Sequence, residues 1–160
     1  MPGKLALAIA LSVTAASLSA CSGKQEPSTT AGSSGRLTKA QFIQRGDAIC
    51  KEMNEVPDKI AEPENASDIG AVADYLQESL DQTRPKVEQF KALLPPAEDQ
   101  AVATRMASIY DQLLAKEAEV IAAARARDHE RYDKAQGEVK GLTMKLDEEA
   151  SAYGFEICGT

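Results

Sequence analysis

Between residues 69 and 94 the inward-type side chains recur in alternating steps of four and three. They are Ile69, Ala73, Leu76, Leu80, Thr83, Val87, Phe90 and Leu94. A seam with this heptad period belongs to a helix, because a strand repeats its faces every second residue. One long apolar stripe is stable only when other helices cover it, so this segment sets the fold class of everything around it. Pro85 lies inside the run but off the seam. It predicts a kink near residues 81–82 that spares the buried positions.

The flanking sequence supplies further helices. Thr38-Lys39-Ala40-Gln41 is a capping-box pattern, in which the Thr hydroxyl meets the N3 amide and Gln41 reaches back. Phe42, Gly46, Ile49, Met53 and Val56 then follow on one face, and Pro57 ends the helix. Gly46 costs helix propensity there, which predicts close approach of a neighbouring helix. Residues 58–66 read as a loop, with Ser67 as cap of the seam-bearing helix. Leu94-Pro95-Pro96 forces a break. A third helix is expected from Ala97 to Arg127, with Val102, Met106, Ile109, Leu113, Val120 and Ala124 inward and a break conceivable at residues 122–124. Glu98 and Asp99 suit its positive end, and Arg125 and Arg127 its negative end. Asp128 should cap a fourth helix carrying Tyr132, Ala135, Val139, Leu142, Leu146 and Tyr153 inward, with Gly154 as left-handed terminator. No strand signal or internal repeat interrupts this order. The expected fold is all-α, an antiparallel four-helix bundle over residues 38–160.

The N-terminus carries a different message. Lys4 precedes an uncharged stretch from Leu5 to Ala16, and Leu18-Ser19-Ala20-Cys21 closes it. That layout matches a lipoprotein signal peptide over residues 1–20, too short and too weakly apolar for a permanent membrane span. Leu18 argues against cleavage by ordinary signal peptidase. Cys21 would take a diacylglyceryl group and become the new N-terminus. Two acyl chains anchor firmly where one binds only marginally. Residues 21–37 are rich in Gly, Ser and Thr and read as a flexible linker with a reach of roughly 20–25 Å. The expected location is the extracytoplasmic face of a cell membrane.

Two cysteines remain once Cys21 is lipidated. Cys50 and Cys158 form an even pair in an oxidising compartment, which predicts a disulfide joining the first helix to the C-terminus. Two free buried thiols or a redox pair are the alternatives, although the C-x-x-C spacing of redox pairs is absent. Asp47 lies three residues before Cys50 on the same side of the helix. A packing or capping role around the bridge is expected ahead of an acid–base role, with a basic residue near the C-terminus as a candidate partner.

The search for chemistry returns little. The chain holds one histidine, His129, and no Trp. A di-iron bundle site needs Glu-x-x-His pairs, and Ala126 stands three residues before His129. No C-x-x-C-H haem attachment is present. A haem held by His129 with Met53, Met106 or Met144 is less favoured than a solvated helix end. The acidic groups Glu98-Asp99, Glu117/Glu119 and Asp147-Glu148-Glu149 read as solvated surface beside Lys and Arg. No G-x-S-x-G, Gly-rich phosphate loop or Ca-loop pattern appears. Formal net charge is −7 and becomes one unit more negative when Lys4 leaves with the signal. That balance disfavours nucleic acid and anionic headgroups. No catalytic residue, metal ligand or cofactor is therefore expected.

Three stretches together resemble a group of small actinobacterial lipoproteins and secreted proteins of uncharacterised function. They are Leu37-Thr38-Lys39-Ala40-Gln41-Phe42-Ile43 running into Gly46-Asp47-Ala48-Ile49-Cys50, then Leu93-Leu94-Pro95-Pro96, then Tyr153-Gly154-Phe155-Glu156-Ile157-Cys158-Gly159. Members commonly show Ala where Gly46 stands. The resemblance spans most of residues 37–159. It implies a helical bundle with a disulfide between first helix and C-terminal tail, and it implies no activity. The expected function is non-catalytic: binding of an envelope protein partner or a small ligand, with a metal or haem carrier as the alternative.

Overall fold

The computed structural model describes residues 35–159. The expected signal peptide, the lipidation residue Cys21 and most of the expected linker lie outside the described residues. Four helices make up the domain: α1 (Lys39–Asn54), α2 (Ile69–Lys91), α3 (Gln100–Ala126) and α4 (His129–Tyr153). Short 3-10 turns at Pro57–Lys59 and Ala97–Asp99 lie in the connections. No strand occurs among the described residues. None of the described helices is long and apolar enough to cross a membrane.

Local capping chemistry sets most helix ends. Thr38 accepts from the Gln41 amide at 3.2 Å, and the Thr38 amide donates to Gln41 Oε1 at 3.0 Å, so the capping box is complete. Asp128 accepts from the Arg131 amide at 3.1 Å and starts α4. Gly154 ends it at φ 113°, a conformation that glycine adopts without a Cβ penalty. The start of α2 differs from expectation. Asp68 is the cap, accepting from the Gly70 amide at 2.9 Å. The Ser67 amide instead donates to Asn65 Oδ1 in the preceding turn. Arg127 follows α3 in the left-handed region at φ 54° and lays its guanidinium 2.9 Å from Asp68, linking the end of α3 to the start of α2.

The link between α2 and α3 also departs from the sequence reading. α2 ends at Lys91, so Leu94 falls beyond the helical seam and is 49% exposed, while Leu93 packs against the core. The Leu94 carbonyl accepts from the Leu37 amide at 2.8 Å. Arg36 Nη1 donates to the Pro95 carbonyl at 3.0 Å and to Gln100 Oε1 at 2.9 Å. The last two residues assigned to the linker are thus docked on the domain. The third helix begins at Gln100 after its 3-10 turn and runs unbroken to Ala126. α2 runs through Pro85, whose side chain faces outward.

α3 packs against both α2 and α4, and α1 packs on α2. A helix covered on two sides needs two apolar faces. This is why Tyr110, Leu114, Ile121 and Ala123 are buried in addition to the predicted single stripe. The aromatic residues are few, yet Phe42, Phe90, Tyr110, Tyr153 and Phe155 gather in one cluster. Phe42 lies 5.6–6.0 Å, centroid to centroid, from Phe90, Tyr153 and Phe155. Phe155 lies beyond α4, so the tail folds back into the core. Its ring explains Gly46. A Cβ there would overlap the Phe155 ring and stand 3.1 Å from Phe90. The close neighbour is therefore aromatic side chain, not the backbone of an adjacent helix.

Candidate functional site

The returning tail organises one end of the bundle. Asp47 on α1 accepts three backbone hydrogen bonds from it: Glu156 N–H at 3.1 Å, Ile157 N–H at 2.8 Å and Cys158 N–H at 3.1 Å. The expected basic partner is replaced by consecutive amides. A carboxylate satisfies them well, since hydrogen bonds to an ionised acceptor are the stronger kind. Cys50, one turn further along α1, meets Cys158 at the disulfide bonding distance of 2.00 Å. A disulfide sulfur carries no proton, so the buried Tyr110 hydroxyl is the donor in its 3.5 Å contact with Cys50 Sγ.

That disulfide walls one side of a cleft of about 570 Å³. Apolar side chains from all four helices line most of it, among them Met53, Leu76, Leu80, Leu113 and Leu146. The polar groups are few: Asn54 from α1, Ser79 and Thr83 from α2, Tyr110 and Glu117 from α3, and Thr143 and Asp147 from α4. No Lys, Arg or His lines it. Burial, with the Asp147 charge adding to it, pushes the Tyr110 hydroxyl well above its usual range, so it stays a neutral donor. Burial also raises the Glu117 carboxyl above the ordinary carboxylate range.

The structure separates acidic residues that the sequence grouped. Glu119 pairs with Lys116 at 2.9 Å. Glu149 makes a two-pronged contact with Arg105, at 3.0–3.2 Å. Asp99 accepts from the Tyr153 hydroxyl at 2.7 Å. Glu117 and Asp147 instead line the cleft, which corrects their reading as solvated surface. Neither has an ion-pair or hydrogen-bond partner among the described residues. His129 is exposed at the first turn of α4, Met106 is buried in the core, Met53 lines the cleft and Met144 is 63% exposed. His129 and these methionines do not converge. Among the described residues, no group of three or more His, Cys, Asp and Glu is placed to hold a metal ion. No protein-family model, curated protein or solved structure matches this chain.

A faint signal for the cleft was present. Thr83 puts a hydroxyl on an otherwise apolar seam, and the inward series of α3 skips the six residues between Leu113 and Val120. Glu117 falls in that gap.

Glu117 carries a stability prediction. Its folded carboxyl is raised, so the folded state binds its proton more tightly than the unfolded chain does. Stability is then lost as pH rises through the carboxylate range, and neutral pH carries the cost. Glu117→Gln is expected to melt at a higher temperature than wild type at neutral pH. The gain should vanish in acid, where both side chains are uncharged. Paired melts at the two pH values check this, and a lower neutral-pH melting temperature for the variant contradicts it.

Proposed function

We propose that this chain is a lipid-anchored, extracytoplasmic binding protein that takes a small, largely apolar ligand into the cleft beside Cys50–Cys158. It acts by binding rather than catalysis, and it has no nucleic-acid partner. Its domain is an antiparallel four-helix bundle closed by one disulfide. The order of ion pairs supports that arrangement. Arg105 pairs with Glu149 and Lys116 with Glu138, so partner numbers on α4 fall as those on α3 rise. Lys91 with Asp111 and Asp74 with Arg125 follow the same rule between α2 and α3.

The observation that carries the ligand reading is the cleft itself. Its volume of about 570 Å³ lies within the range of roughly 300–1,000 Å³ usual for small-molecule sites. Its apolar wall with a few polar groups is the usual composition of such sites. The anchor rests on Leu18-Ser19-Ala20-Cys21, and the acidic charge suits a body held off an anionic surface. The resemblance to small actinobacterial lipoproteins belongs to the same reading.

Titration with the uncharged fluorescent probe N-phenyl-1-naphthylamine tests the cleft. Saturable binding is expected in the wild type, weakened about tenfold or more by Leu113→Trp, which fills the space. Absence of saturable binding, or equal binding by the filled variant, would remove the ligand reading. The anchor has its own test. Cys21→Ser should yield uncleaved precursor or released protein, and unchanged maturation with membrane retention would overturn it.

A further inference from the structure

The charge of the cleft narrows its ligand, on the premise that the cleft binds a small molecule as proposed above. Two carboxylates from different helices, Glu117 and Asp147, line a largely apolar cleft. Their sequence neighbours Glu119 and Glu149 are held in ion pairs, yet these two have no such partner among the described residues. No cationic side chain shares the lining. The cleft is therefore a largely apolar space with two carboxylates in its wall that have no charge partner among the described residues, one on α3 and one on α4.

Such a wall discriminates by charge. An anionic amphiphile, such as a fatty acid, brings like charge into a partly desolvated space where screening by salt is weak. A neutral amphiphile gains the apolar contacts but leaves the carboxylates unpaired. A cation gains both the apolar contacts and a charge partner. Burial already disfavours the ionised form of Glu117, and an arriving cation reverses that cost. The hydroxyls of Ser79, Thr83 and Thr143 line the same space and supply neutral acceptors for remaining N–H groups. A charge pair of this kind adds directional selectivity to apolar contacts that have none.

We propose that the cleft takes an amphipathic organic cation: an apolar chain or ring system carrying a protonated amine, the ammonium meeting the Glu117 carboxylate. The apolar body lies along Leu76, Leu80 and Leu113. Glu117 is then the residue that selects ligand charge, while the leucines supply affinity that is blind to charge.

The test displaces bound N-phenyl-1-naphthylamine with decylammonium, decanol and decanoate, using the oxidised full chain carrying Cys21→Ser. Decylammonium is expected to displace at a concentration about tenfold lower than decanol, with decanoate weakest. Glu117→Gln should shrink the decylammonium advantage over decanol, measured in the same variant, to about twofold. Adding Asp147→Asn should remove the rest. If the probe binds but the three compounds displace it equally, the charge selection is wrong and the apolar cleft stands. Preference for decylammonium that survives in the double variant also overturns the assignment to these carboxylates. If wild type binds no probe, the cleft reading fails and this inference falls with it.

Discussion

Replacing Cys50 and Cys158 together by Ser is expected to lower the melting temperature by roughly 15–20 °C. The bridge spans 108 residues. On the chain-entropy model a loop of this size contributes about 4–5 kcal/mol by restricting the unfolded chain. For a domain of this length, each kcal/mol moves the melting temperature by about 4 °C. The variant should still fold, because the tail keeps its three amide bonds to Asp47 and its buried Phe155 ring. Serine hydroxyls in place of the sulfurs add a smaller polar cost, since both positions are buried. Thermal melts of the double variant, and of wild type with and without reductant, provide the check. The two comparisons should agree in size. A melting temperature unchanged in both would remove the bridge from the account of stability.

Phe42→Ala carries the second large effect, a loss of about 3–5 kcal/mol. Phe42 is 1% exposed and sits against three other rings, from α2, α4 and the tail. Truncation removes the apolar contacts and leaves a cavity that rigid aromatic neighbours fill poorly. The effect should appear as a lower urea midpoint with little change in slope, because the same surface is exposed on unfolding. Phe42→Leu should recover much of the loss, since it restores part of the volume. A cost below about 1 kcal/mol for the alanine variant would show that the ring cluster does not anchor the core.

Both effects meet at the same place, where α1 receives the C-terminal tail. Phe42, Gly46, Asp47 and Cys50 form successive layers on α1. Gly46 leaves room for the Phe155 ring, Asp47 takes the tail amides, and Cys50 takes Cys158. Cys50 and Cys158 also line the cleft, so loss of the bridge is expected to alter its wall as well as the stability of the domain.

The helix starts at Thr38 and Asp128 were legible because each depends on a side chain bonding its own nearby backbone, and the stop at Gly154 because only glycine takes the left-handed conformation there without a Cβ penalty. The error at Ser67 has the same origin. Ser67 and Asp68 are both good caps, and the choice went to the residue that also faces Arg127, far along the chain. The seam of α2 was correct for Ile69, Ala73, Leu80, Val87 and Phe90, all buried. It failed at Leu94 because the helix ends at Lys91, before the two prolines.

Residue order alone thus determined that the described residues make four helices, where most of them begin and end, and which cysteines can pair. These properties follow from hydrogen bonds and periodicities within a few residues. Only the tertiary structure decided that α3 is covered on two sides, that Asp47 grips tail amides instead of a cation, and that Glu117 and Asp147 share a cleft. Those outcomes depend on which faces meet across 30 to 110 residues of chain. A helical wheel does not encode that choice. The packing of bulky rings against the one glycine on α1, Gly46, helps to make it.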